Sequence, residues 1–105
     1  MDKAALFEPR LPRAEFETPA GTLLLRGLSR AEIMSLRKVG QTGDVDEVDK
    51  RMLRLGVVDP ALTEADVKTW REAWPAADID AVVSKIAELS GMHEEEENRE
   101  ASFRQ

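Results

Sequence analysis

Between Ser29 and Gly91 the chain carries its own punctuation, and the punctuation cuts it into short helices. Ser29 is followed three residues later by Glu32, Asp44 by Glu47 and Thr63 by Asp66. Each pair has the form of a capping box, in which the first side chain accepts from a free backbone N–H of the opening turn and the acid reaches back to the cap. Gly40, Gly56 and Gly91 read as helix ends, because the residue just past a helix often needs positive φ. Pro75 breaks the third segment and suits the first turn of a fourth.

The apolar residues agree with these limits. Ile33, Leu36 and Val39 face inward on the first helix, with Met34 nearby. Val45, Val48, Met52 and Leu55 form one stripe on the second. Acids gather at the start of that helix (Asp44, Asp46, Glu47) and bases near its end (Lys50, Arg51, Arg54), an order that suits the helix dipole. Val67, Trp70 and Trp74 share one side of the third helix. Ile79, Val82, Val83, Ile86 and Leu89 make the clearest amphipathic stripe, on the fourth. Val57–Pro60 reads as extended, because proline disfavours helix at the residue before it.

Ahead of the helices, residues 14–26 read as a β-hairpin. AEFET and TLLLR flank Pro19-Ala20-Gly21, with proline at the first central position of a type I turn and glycine after the second. A lone hairpin is marginal in water and must pack on a helix. The three consecutive leucines of its second strand predict cover on both faces. In residues 1–13, Pro9, Pro12 and alternating charge block a regular element, while Leu6, Phe7 and Leu11 remain free to dock. The chain therefore reads as a mainly α protein: a small bundle of about four short helices preceded by an N-terminal β-hairpin, with a flexible acidic C-terminal tail. Its parts are an arm (1–13), a hairpin plus helical domain (14–91) and a polar tail (92–105).

Composition excludes several classes of function. At 105 residues there is room for one domain. Without cysteine there is no disulfide and no thiolate chemistry. No apolar run approaches the ~20 residues of a membrane span. The opening MDKAALFEPRLPR is too broken by charge and proline to serve as a signal peptide. Net charge is −6 and uneven: residues 1–40 hold seven Lys/Arg against five Asp/Glu, and residues 41–105 hold eight against sixteen. Nucleic acid needs a basic face to neutralise phosphate, and no such cluster is present. A basic partner segment fits the acidic side better.

Chemistry-bearing residues are sparse. His93 stands beside Glu94–Glu97, but consecutive side chains point in different directions, and a metal needs convergent ligands. The acids around Asp44 and Asp78 are accounted for by helix starts. With one histidine, no cysteine and no tyrosine, the inventory for nucleophilic or general-base catalysis is thin. No glycine-rich phosphate loop occurs. The reading is a protein with no catalytic residue, cofactor or metal. The residues suited to gripping another protein are Trp70 and Trp74, spaced i, i+4, together with Met92, Phe103 and Arg104. The tryptophans read first as core packing and second as an anchor. Phe103 reads as idle tail, as docked on the body or as docked on a partner.

One resemblance gives a more specific expectation. The order ETPAGTLLLRGLSRAEIMSL, LRLGVVDPALTEADVKTW, PAADIDAVVSKIAELSGM and then a polar tail ending ASFRQ is similar to the tail assembly chaperones of long-tailed bacteriophages, especially those infecting actinobacteria. VVDPALTEADV and the helix ending ELSGM carry most of it, and it spans residues 14–105. The resemblance implies a small, mostly helical, non-enzymatic protein of the host cytoplasm, absent from the mature virion. It would bind the long helical tape measure protein, keep it soluble and promote tail-tube polymerisation around it. The tail-tube protein and further copies of the chain itself are the other implied partners, with no nucleic acid and no membrane. A longer frameshifted form is common in that family. The alternatives are a small structural head–tail connector or tail completion protein of the virion, and a host-encoded regulatory adaptor.

Overall fold

A computed structural model of the chain describes residues 1–92. It is mainly α with an N-terminal hairpin. The elements in order are α1 (Lys3–Leu6), β1 (Arg13–Thr18), β2 (Gly21–Arg26), α2 (Arg30–Gln41), α3 (Val45–Gly56), β3 (Val57–Asp59), α4 (Glu64–Ala73) and α5 (Ala76–Leu89).

The hairpin forms as its turn residues dictate. Thr18 pairs with Gly21 across Pro19 and Ala20. No non-glycine residue among those described has positive φ, so Ala20 rules out the other common turn types and leaves type I. The Thr18 hydroxyl closes the turn twice, donating to the Gly21 carbonyl at 2.6 Å and accepting from the Ala20 N–H at 3.2 Å. The segment read only as extended is a third strand. β3 pairs antiparallel with β2 to give the order β1-β2-β3, with a register shift beside Leu24 and Leu25. Phe16, Leu23, Leu25 and Val57 lie on the face that packs on the helices. Leu25 and Val57 are buried there, and Leu24 on the opposite face is half-buried.

Two predicted capping boxes form in full. Ser29 Oγ accepts from Glu32 N–H while Glu32 Oε1 accepts from Ser29 N–H, and Thr63 and Asp66 do the same. Leu28 precedes the first cap and Ile33 follows four residues into α2. Both are buried in the core, as a hydrophobic staple requires. The third box is half made. Asp44 caps the Glu47 N–H, but the Glu47 carboxylate turns instead to Arg51 at 2.9 Å and Lys50 at 3.3 Å.

Several expectations are corrected. Gly40 does not end α2. The helix runs through Gln41, and the residue with positive φ beyond it is Gly43, at 85°. Gly91 holds that role after α5, at 84°. On α3, Val45 is 73% exposed and Leu53 is fully buried, so the core stripe is rotated towards Met52, Leu53 and Gly56. Residues 3–6 of the arm form one helical turn, started by an Asp2 cap, despite the prolines that follow. Pro75 is the N-cap residue of α5 rather than part of its first turn.

α3 lies at the centre, packed against α2, α4, α5 and the sheet. The fully buried set is Leu25, Leu53, Val67, Val82 and Ile86. Two glycines permit the closest contacts. A Cβ on Gly56 would lie 2.4 Å from Ile86 Cδ1, and one on Gly27 would lie 2.4 Å from the Leu89 carbonyl oxygen. At that second joint Ser90 Oγ accepts from Leu28 N–H and donates to the Ile86 carbonyl, both at 2.7 Å. Among the described residues no buried side-chain polar atom lacks a partner. Arg26 meets Glu32 through two parallel bonds, Nη1–Oε1 at 2.9 Å and Nη2–Oε2 at 2.8 Å. The ion pair ties the end of β2 to the first turn of α2.

Glycine substitutions should separate close approach from helix propensity. Gly27→Ala drives a methyl into rigid backbone and should lower stability by about 1–3 kcal/mol. Gly40→Ala sits inside α2, where the new Cβ meets only Val48 Cγ2 at 3.7 Å, and should raise it by about 0.5–1 kcal/mol. Urea unfolding of the two variants checks both signs.

The Arg26 hydrogen bonds, chiefly, hold the Glu32 carboxyl down to about 2 from its ordinary 4.5. A depressed carboxylate pKa stabilises the fold above its unfolded value, and that stability is lost as pH falls towards the folded value. The two side chains are 18% and 24% exposed, so solvent screening trims the full linkage value. Glu32→Gln should cost about 1–2 kcal/mol at neutral pH. The gap from the parent should close between about pH 4.5 and 2. Denaturant unfolding of parent and variant across that range measures it.

Candidate functional site

The site is built where β3 delivers the chain from α3 into α4. β3 ends at a cis Asp59–Pro60 bond, and Pro60 and Leu62 then pass beside the turn of the hairpin. Thr63 starts α4, which carries Trp70 and ends at its C-cap Trp74, i, i+4 apart and both lining the side that faces the hairpin. Between them is an open groove of about 270 Å³. Its apolar walls are Leu23, Leu62, Pro60 and the tryptophan pair, and Thr18, Ala20, Gly21 and Thr22 close it at the turn. No charged side chain lines it.

Both tryptophans are half-buried and packed against the core. Their ring centroids are 5.5 Å apart at an interplanar angle of 81°, an edge-to-face pair. The core reading of this pair holds for the buried part of each ring, and the exposed part leaves room for the anchor reading. Part of each ring supports the hydrophobic cluster and part is presented to the groove.

Charge orients α4 on α3. Arg71, one residue from Trp70, points the other way and binds Asp46 and Asp49 of α3, the latter at 3.1 Å. Arg54 of α3 reaches Glu64 at 3.1 Å. The Arg71 hydrogen bond first, and its charge, keep Asp46 below the usual carboxylate range. Hydrogen bonds from Arg51 and then Lys50 do the same for Glu47, and the Thr63 cap does so for Asp66. Asp46 in turn raises Arg71, and Glu47 raises Lys50. Carboxylates held in their charged form suit ion pairing, not proton donation. A second cleft between α3 and α4 is lined by Glu47, Lys50, Arg51, Arg54, Glu64 and Lys68, of which the first five bind one another. Among the described residues no group of three or more His, Cys, Asp or Glu is placed to hold a metal ion. No described helix is long and apolar enough to cross a membrane.

Of the residues singled out in the sequence, Trp70 and Trp74 come together. Met92 does not join them. It packs half-buried on the core just beyond α5, at the other end of a helix about 21 Å long. Phe103, Arg104 and the acidic tail lie outside the described residues. Pro60, Leu62 and Leu23 were missed as groove residues. Their proximity depends on β3 joining the sheet, and the only sequence hint of that was the extended reading of Val57–Pro60. Comparison with protein-family models, with curated proteins and with solved structures finds no match.

The edge-to-face contact gives a test of the geometry. In a double-mutant cycle, Trp70→Leu and Trp74→Leu should show a coupling of about 0.5–1.5 kcal/mol beyond their separate costs. Additive effects in denaturant unfolding would show that the rings do not meet in solution.

Proposed function

We propose that this chain is a non-enzymatic binding protein, and specifically a bacteriophage tail assembly chaperone. In this reading it binds the tape measure protein in the host cytoplasm, keeps it soluble, promotes tail-tube polymerisation around it and is absent from the finished particle. The specific identity rests on the resemblance of residues 14–105 to that family. The observation that carries the binding role is the open apolar groove beside the Trp70/Trp74 pair. A client with a periodic apolar face needs such a groove with charge around its rim. Half-buried tryptophan is the side chain best able to anchor it. The groove is small and open, which suits side chains from another protein better than a wholly enclosed metabolite.

Co-expression with a tape measure protein tests the proposal. A soluble complex is expected, with the client insoluble alone, and Trp74→Ala should weaken capture by ~10-fold or more. Failure of the client to become soluble, or detection of this chain in purified particles by mass spectrometry, would favour a structural connector instead.

A further inference from the structure

Of the four longer helices, α2 alone is net positive. Arg30, Arg37 and Lys38 stand against a single acid, Glu32, and Glu32 is bound to Arg26. With Met34 the three cations lie at i, i+4, i+7 and i+8, which puts them on one side of the helix. All four residues are exposed. On α3 and α4, by contrast, Lys50, Arg51, Arg54 and Arg71 are each matched to a carboxylate. Among the described residues Arg30 and Lys38 make no ion pair. The opposite charge is concentrated after Met92, where Glu94–Glu97 and Glu100 outnumber Arg99 and Arg104 for a net charge of −3. We infer that the run Glu94–Glu97 docks on the outer face of α2 in its own chain.

The tail leaves the body beside the start of α2. Ser90 Oγ accepts from Leu28 N–H at 2.7 Å, and Leu28 is two residues ahead of Arg30. That bond holds the Ser90 Cα within about 7 Å of the Leu28 Cα. Arg30 then lies at most about 14 Å from Ser90, and Arg37 at most about 23 Å, whatever the directions of the intervening steps. Glu94 and Glu97 follow Ser90 by four and seven residues, a reach of about 13 and 23 Å for extended chain before side chains are counted. Exposed ion pairs are individually weak, so three cations hold little from dilute solution. A segment tethered this close acts at an effective concentration of about millimolar, which a second copy in dilute solution does not match. That difference selects the chain's own tail. The arm reaches the same corner, where the Pro12 carbonyl accepts from Gly27 N–H at 2.8 Å. Its cations are already offset, because Lys3, Arg10 and Arg13 each have an acid within two residues, Asp2, Glu8 and Glu15. A docked tail covers Met34, and an acidic segment of any partner would reach α2 only by displacing it.

Carbodiimide coupling joins a lysine amine directly to a carboxylate it touches, and Lys38 is the lysine on the docking face. In a mixture of heavy-isotope and ordinary full-length chains, Lys38 should couple to Glu94–Glu97 within single chains. The yield should fall several-fold in about 1 M salt, where charges are screened beyond about 3 Å. The combined Glu94→Gln, Glu95→Gln, Glu96→Gln and Glu97→Gln variant should move the Met34 methyl resonance and the amide resonances of Arg30, Arg37 and Lys38, and leave those of α4 in place. Coupling of the four glutamates to Lys3, Lys50 or Lys68 in place of Lys38, coupling between heavy and light chains, a yield that salt does not change, or an unmoved Met34 methyl would each overturn the inference. The contact uses neither the groove nor a client, so these outcomes are independent of whether the client reading fails.

Discussion

The contact between α3 and α5 determines where everything else can sit. Gly56 carries no side chain, and Ile86 occupies the space where a Cβ would be. Leu53, Val82 and Ile86 are fully buried around that point. Once α5 lies this close to α3, its C-terminal end meets the β2–α2 connection, where Gly27 admits the Leu89 carbonyl and Ser90 bonds to Leu28 N–H. Its N-terminal end fixes Pro75, and hence the direction from which α4 arrives. The groove is therefore a consequence of how α5 docks rather than an independent feature of α4. A methylene placed at either glycine would displace a helix, because neither the Leu89 backbone nor the Ile86 side chain has room to retreat in a close-packed core.

The parts of this fold that were legible in the sequence are those set by neighbours along the chain. The Ser29/Glu32 and Thr63/Asp66 boxes, the Pro19-Ala20 turn and the Gly91 terminus involve residues within a few positions of one another, and all form. Some errors are local, as where Lys50 and Arg51 draw Glu47 from its cap, but those that shape the core arise where a distant partner decides. Val45 fits a helical stripe by spacing but lies one residue past the cap and beyond the reach of the core, so it stays exposed. Leu53 breaks that spacing and is buried, because α3 presents the Met52–Leu53–Gly56 side to α5 and the sheet. Gly56 reads as a stop signal, yet its larger role is to let Ile86 approach. No local pattern distinguishes these two uses of glycine.

The candidate site was half legible for the same reason. An i, i+4 tryptophan pair is visible in any sequence, and its two readings could not be separated there because both require the same spacing. In the structure both indoles are half-buried, which meets the core reading and is compatible with the anchor reading. Arg71 explains how. Its bonds to Asp46 and Asp49 draw one side of α4 onto α3 while Val67 enters the core, and this leaves Trp70 and Trp74 facing the hairpin. These ion pairs are largely exposed at the Asp46 end, so they contribute orientation more than stability. The energy that holds α4 comes from Val67 and the buried parts of the indoles.

The far wall of the groove is the hairpin turn, and its rigidity matters for binding. Thr18 Oγ1 accepts from Ala20 N–H and donates to the Gly21 carbonyl, and proline already restricts φ at its position. Thr22 adds a bond to Glu17. Ordering a loop around a ligand costs conformational entropy that a preformed wall avoids. The indoles face this wall from a helix capped at its first turn and tied to α3 at Arg71, so both sides are set before any partner arrives. What remains variable is the occupant. An apolar floor specifies side chains by size more than by identity, while the acidic residues at its edge favour basic flanks through encounter rate and register. Under the proposed reading, a groove of that kind would accept a family of short apolar segments and select among them by the charge that accompanies them.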